Sequence, residues 1–438
     1  MHDKDYTKSR LLRKKAHHLI PGGCHTYAKG DDQYPELSPG FIVRGKGCHV
    51  WDVDGNQYIE YGMGLRAVTL GHAYEPIVEA AYEAMKNGNN FTRPSPLEID
   101  CAEQLLSIIP NAEQVKFAKD GSAILTAAVK LARAYTGRKK VVICADHPFF
   151  SYNDWFIGTT QVDSGIPDTN KSLTVTFRYN NIDSLHSLFA SSEHDIACVV
   201  MEAARNDEPE RDFLKNVQKL CNQYGAVFIL DEMITAFRWA LHGAQDVYQI
   251  EPDLSCYGKA MANGFSLSAL TGKREIMDLG GISHDKERVF LLSTTHGAEN
   301  HALAAAIKTM EIYKSEPVID HLYRAGERLT KGIDAIIDSL GIRNHFFLLG
   351  RPCNLVYATR DIDGRPSDPL RTLFMQEIIN RGILAPSFVV SYSHSDSDID
   401  KTIEAVGEAL VIYEKALSGG VESYLVGNPV KSVYRKYN

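Results

Sequence analysis

Asp231-Glu232 closes the apolar run Ala226-Val227-Phe228-Ile229-Leu230, and Lys259 follows in Tyr257-Gly258-Lys259-Ala260-Met261-Ala262-Asn263-Gly264. A carboxylate delivered by a buried strand is costly unless a cation accompanies it. A lysine framed by Gly258 and Gly264 has room beside it for a flat group. Burial near other cations lowers a lysine pKa, and the neutral amine then attacks an aldehyde. The two residues together suit pyridoxal 5'-phosphate (PLP). Lys259 holds the aldehyde as an imine, and Asp231 pairs with the pyridine nitrogen and keeps the ring charged. Once displaced, the same amine can carry a proton between carbons, work worth about 10²–10⁴ in rate. Taken singly, Asp231 is a cap for residues 233–240 and Lys259 is a loop lysine. Their combination carries the chemistry.

Three further clusters fit that reading. Asp120-Gly121-Ser122 lies between a strand-like run at 115–118 and a helical pattern at 123–135. A helix start there offers free N–H groups and the positive dipole end to a phosphate, with the Ser122 hydroxyl beside them. A plain cap by Asp120 or Ser122 explains the same residues. Phe149 and Phe150 follow the run at 141–145, where an aromatic could lie flat on a ring or pack in the core. Ser293-Thr294-Thr295-His296-Gly297 precedes another helical pattern at 298–313 and is a second candidate phosphate contact. Gly62-x-Gly64-x-x-Ala67 matches a loose dinucleotide fingerprint, but Gly71 and Pro76 interrupt the helix it would need. His296 and His301 flank Glu299 without the His-Glu-x-x-His spacing, so no metal site is expected. The eight cysteines include no Cys-x-x-Cys pair and read as reduced, structural thiols.

The elements that position these residues alternate. Strand-like runs at 115–118, 141–145, 173–177, 196–201 and 226–230 are separated by helical patterns, such as 213–224 closed by Gly225. Continuous apolar runs suit strands buried on both faces of a mostly parallel sheet covered by helices. The first segment, residues 1–70, is rich in glycine, proline and aromatics, with a hairpin signal at Asp54-Gly55. Residues 71–316 form the expected large domain. Residues 317–438 carry long helical patterns around short strands, a smaller α+β domain whose end, from Gly419, reads as a polar surface tail. The chain has 438 residues and a net charge of −8, which argues against nucleic-acid or anionic-membrane partners. No stretch has the length of a membrane-spanning helix and no signal-peptide core follows the start, so the expected location is cytoplasmic.

The whole chain resembles class III, fold type I, PLP-dependent aminotransferases, and within them the glutamate-1-semialdehyde aminomutase branch. The resemblance rests on Leu19-Ile20-Pro21-Gly22-Gly23, Arg44-Gly45-Lys46-Gly47, Val50-Trp51-Asp52-Val53-Asp54-Gly55, Leu70-Gly71-His72, residues 131–138, Leu230-Asp231-Glu232, Phe237-Arg238 and Gly258-Lys259. It implies an α/β fold with a smaller domain built from both ends of the chain. It also implies a homodimer with active sites at the interface, and PLP alternating with its pyridoxamine form. Lys259 matches the Schiff-base lysine, Asp231 the nitrogen partner, and Gly121 and Ser122 the phosphate turn. Phe149 matches the ring-stacking position, Glu202 a glutamate at the cofactor edge, and Thr295, or Thr294, the threonine that reaches the partner's phosphate.

The substrate side departs from the aminomutases. Lys29 stands where they carry a carboxylate-binding arginine, which is not an equivalent exchange. Gly64-Leu65 replaces their Ser-Trp, Arg66 is added, and Phe388-Val389-Val390 replaces a Glu-Ala pair. The expectation is amino transfer from an amino-acid donor to an aldehyde or ketone such as a sugar, cyclitol or other secondary metabolite. Lys29, Arg66, Arg205 and Arg238 are the candidates for acidic groups. The alternatives are a 2,1-aminomutase and a catalytically silent PLP-binding protein.

Overall fold

A computed structural model describes residues 4–146, 149–192, 194–204 and 207–437. The chain divides into two compact units, one of residues 75–319 and one of residues 1–74 with 320–438.

The 75–319 unit is organised by a seven-stranded sheet. Its spatial order is Gln114–Ala118, Ser268–Gly272, Leu254–Tyr257, Val227–Asp231, Ile196–Glu202, Lys140–Cys144 and Thr174–Phe177. The last five pair in parallel, and Ser268–Gly272 runs antiparallel to both its neighbours. Ile196–Glu202 and Val227–Asp231 are buried along their whole length, as continuous apolar runs require. Sequence reasoning did not find the Ser268–Gly272 strand. Its residues, Ser-Ala-Leu-Thr-Gly, are small and mostly not β-branched, and only their place between two strands makes them extended.

The helix Gly121–Thr136 buries Ile124, Leu125, Ala128, Leu131 and Ala132, where small residues allow close approach to the sheet. Asp120 caps its start through the Ala123 N–H, and Gly137 ends it at φ 67°. The helix Phe213–Tyr224 buries Phe213, Leu214, Val217, Leu220 and Cys221 and stops at Gly225.

In the other unit Ile42–Lys46, His49–Asp52 and Gln57–Glu60 form an antiparallel meander. Ile383–Leu384, from far along the chain, joins it parallel to Gln57–Glu60. Phe346, Tyr357, Phe374 and Phe388 meet in one aromatic cluster beneath the helices Asp368–Asn380 and Asp396–Gly419. A helix over Thr7–Leu19 was not legible in the sequence, since it has no apolar stripe. Its start is capped from a distance: the Lys8 and Ser9 N–H groups donate to the Asp54 carboxylate at 2.6 and 3.0 Å.

The polar end is largely exposed and is anchored at two points. The Val426 N–H donates to Gln376 Oε1 and the Val430 N–H to Thr372 Oγ1, both at 2.9 Å, so two buried side chains of the Asp368–Asn380 helix pin it. The eight cysteines carry free thiols. Cys48, His49 and Asp398 lie close together, but Asp398 is occupied by the Ser395 N–H and hydroxyl as a helix cap. Among the described residues no helix is long and apolar enough to cross a membrane.

Candidate active site

Asp231 ends its strand level with Glu202 on one neighbour and Cys256 on the other. Both carboxylates are buried at the C-terminal edge of the parallel strands, the edge where open α/β sheets bind ligands. Asp231 Oδ1 accepts the Met233 N–H at 2.9 Å. Burial pushes its pKa up to about 6, against the opposing pull of the Lys259 charge and that N–H. Such a carboxylate is poised to gain from a cation placed beside it. Residues 233–240 form turns rather than a helix, so Asp231 caps no helix there.

Lys259 lies two residues beyond the adjacent strand Leu254–Tyr257 and is half-buried. Its φ is +45°, a left-handed conformation rare for a lysine. Strain of this kind persists only where the surroundings impose it, and it concentrates at functional sites. Gly258 is extended, and a Cβ there would crowd the methyl end of the Met233 side chain. A Cβ on Gly121 would meet the same methyl at 2.9 Å. Met233 thus lies between the Lys259 loop and the Gly121 turn, two segments far apart in sequence. Sequence reasoning missed Met233, and its only signal was the pair of glycines that make room for it.

Glu232 points elsewhere. It accepts the Ala244 and Gln245 N–H groups at 2.8 and 2.9 Å and the Thr235 hydroxyl. Burial raises its pKa to about 7, with those three bonds opposing. Its role is to hold the chain after Asp231 in place.

At the Gly121 turn, the Asp120 side chain takes the Ala123 N–H at 2.9 Å. This leaves the Gly121 and Ser122 N–H groups at the positive helix end. The nearly buried Ser122 accepts the Tyr152 N–H at 3.2 Å. Phe149 is 46% exposed and meets Phe156 with the two rings nearly perpendicular and 5.7 Å between centroids. Thr294 and Thr295 are both exposed, and their loop is tied down by the Asn90 amide donating to the Thr295 carbonyl at 2.9 Å.

The remaining candidates are placed differently. Arg205 lies outside the described residues. Arg238 is fully buried, which removes it from any solvent-facing anion site. Phe388, Val389 and Val390 are also fully buried, and Phe388 packs against Tyr61 and Tyr357. That departure from the aminomutase pattern is core packing and presents nothing to a ligand. Lys29 and Leu65, in contrast, line one cavity of about 410 Å³ within their own unit, with Glu60 and His72 among its walls. Arg66 is half-buried and held in orientation by Asn354 Oδ1 at 2.8 Å and Ser387 Oγ at 3.3 Å. Met63, Gly64, Leu65 and Arg66 all have positive φ. One left-handed turn therefore replaces the dinucleotide loop that the glycine spacing imitates.

A buried acid favouring a cation, a strained lysine on the adjoining strand end and a helix start with two N–H groups and a hydroxyl fit one molecule. It carries a protonatable ring nitrogen, an aldehyde and a phosphate. Comparison with known proteins agrees. Residues 30–343 match the family model described as aminotransferase class-III. The chain is 33% identical over 419 residues to a glutamate-1-semialdehyde 2,1-aminomutase of Persephonella marina, covering 90% of this chain and 96% of that one. It is 30% identical over 420 residues to a 3-aminobutyryl-CoA aminotransferase of Cloacimonas acidaminovorans, covering 94% and 98%. The PLP internal aldimine form of the FumI protein of Sphingopyxis sp. MTA144 superposes with a TM-score of 0.86 at 25% identity, covering 94% and 98%.

Proposed function

The chain belongs to the class III family of PLP-dependent aminotransferases, and from that premise we propose that it moves an amino group from an amino-acid donor to an aldehyde or ketone acceptor. The observation that carries the site assignment is the pairing of buried Asp231 with strained Lys259 on adjacent strand ends. PLP, when bound, supplies an aldehyde that exchanges amino groups and a ring that withdraws electrons from the substrate carbon. Asp231 holds the ring nitrogen in its charged form. Lys259 would hold the aldehyde carbon, and its amine would move the proton to and from the substrate carbon. Gly121 and Ser122 hold the phosphate by N–H and hydroxyl donors. Glu202 would line the cofactor edge beside Asp231, and the exposed Phe149 ring would stack on the cofactor ring.

Lys29 and Arg66 are our candidates for acidic groups of the substrate. Lys29 and Leu65, both departures from the aminomutase pattern, line one cavity, and this favours an acceptor other than glutamate-1-semialdehyde. A sugar, cyclitol or other polar carbonyl compound is the class we favour. An aminomutase remains the second reading, supported by the 33% identity to such an enzyme. A homodimer is supported by the exposed stripe Val78, Tyr82 and Met85 on the helix Glu75–Lys86, with Phe91 and Ile99 also exposed. In that assembly Thr295, or Thr294, would reach the partner's phosphate.

Screening amino acids for loss of the protein-bound PLP absorbance identifies the donor, and screening carbonyl compounds for its return identifies the acceptor. We expect both steps to occur with separate compounds. Efficient conversion of glutamate-1-semialdehyde alone to 5-aminolevulinate would overturn the transferase reading.

A further inference from the structure

Around the first turns of the Gly121–Thr136 helix, four side chains and a carbonyl form a hydrogen-bond network. Thr126 Oγ1 lies 2.8 Å from Asn153 Nδ2 and 2.9 Å from Trp155 Nε1. Both partners are donors, so both lone pairs of the Thr126 hydroxyl are filled and its own proton must be given away. A helical threonine often gives it to the carbonyl four residues back, which here belongs to Ser122. That carbonyl instead accepts from Ser151 Oγ at 3.3 Å. The Thr126 hydroxyl also lies 3.2 Å from Ser151 Oγ, a pair in which either oxygen can donate. Ser151 is fully buried and also accepts the Asn153 backbone N–H and side-chain Nδ2, both at 3.1 Å. Asn153 and Trp155 thus donate to Thr126, Thr126 and Ser151 are hydrogen-bonded to each other, and Ser151 donates to the Ser122 carbonyl.

The loop held by this chain presents the Tyr152 N–H to Ser122 Oγ at 3.2 Å. A hydroxyl that accepts on the loop side still has its proton to donate elsewhere. That polarity suits an anion beside the Gly121 and Ser122 N–H groups. The same loop carries Phe149, close in sequence to Tyr152.

We propose that Thr126 is a positioning residue: through Ser151 and the loop they fix, it keeps the Ser122 hydroxyl a phosphate donor. The proposal rests on Gly121-Ser122 being the phosphate seat. Thr126→Val keeps the side-chain shape and removes the hydroxyl. PLP is titrated by absorbance into the full-length chain stripped of cofactor, with inorganic phosphate as the competitor. Affinity for both falls about ten- to hundredfold, the scale of one hydrogen bond to a charged group. Thr126→Ser restores it. In a Ser122→Ala background Thr126→Val costs nothing further, because the two act in series.

Ser151→Ala breaks the same chain and gives the same phosphate loss, which keeps the test open if Thr126→Val does not fold. Phosphate affinity unchanged in both Thr126→Val and Ser151→Ala, or losses that add to that of Ser122→Ala, would overturn the proposal and leave the seat intact. Phosphate affinity unchanged in Ser122→Ala would overturn the seat itself.

Discussion

The strand-end site around Asp231 and the cavity around Lys29 are built in opposite ways. Asp231 and Glu202 are buried on strands whose register is fixed over several residues, and Gly258 is buried just past a third. Lys29 is exposed in a single helical turn, and Leu65 is half-buried in a left-handed one. In the first region burial makes every charge expensive, so each charged residue there has a stated reason. In the second, solvent screens the charges and the backbone itself is the unusual feature. Left-handed residues other than glycine cost about 1–2 kcal/mol each, and the Asn354 and Ser387 anchors of Arg66 help hold that turn. Chemistry shared by a family can be built the first way, and selectivity that differs between relatives can be built the second way. The two named relatives, an aminomutase and an aminotransferase of nearly equal identity, fit that division.

The comparison breaks first at Lys259. Lys259→Ala should lower turnover by about 10²–10⁴ or more, the usual worth of a positioned general acid–base group. Borohydride reduction of the wild type should fix PLP to the Lys259 peptide, read by mass. A variant with full turnover would show that the strained lysine is structural.

Asp231→Asn comes next. Removing one partner of a buried ion pair costs about 3–5 kcal/mol, so turnover should fall about 10²-fold or more while the chain still folds. The cofactor-free protein gives an independent check with the opposite sign. The folded-state pKa of Asp231 is raised to about 6 by burial, above its unfolded value. The carboxyl therefore favours the fold while protonated and costs stability as pH rises through about 6. Without cofactor, Asp231→Asn should melt above wild type at pH 8, and the gap should close as pH falls toward 4. With PLP bound the order should reverse. An identical pH profile for both proteins would mean that Asp231 is not a strained buried acid.

This asymmetry also explains what could be read in advance. The apolar run before Asp231, the glycines around Lys259 and the Asp120-Gly121-Ser122 helix start are local patterns, and local patterns survive in sequence. The strand Ser268–Gly272 and the helix Thr7–Leu19 are made by distant partners, the flanking strands and Asp54, and left no local trace. Met233 belongs to the same class, since its place between two glycines exists only after folding. Arg238 and Val389 failed as substrate candidates for a related reason. A sequence shows that a residue differs from a pattern, but not whether it faces a ligand or the core.

The smallest expected effect tests the second region. Lys29 is exposed, and a screened ion pair is worth up to about 1 kcal/mol, or roughly fivefold in binding. Lys29→Ala should therefore raise KM about two- to fivefold for a substrate bearing an anionic group, leave a neutral one unaffected, and leave kcat unchanged for both. Leu65→Ala enlarges the same cavity by a side chain and should relax selectivity between bulky and small substrates without the charge dependence. If Lys29→Ala alters neutral and anionic substrates alike, the cavity acts through the fold of its unit and not through charge. Selectivity would then have to be sought among residues placed as Asp231 is, buried and fixed by register.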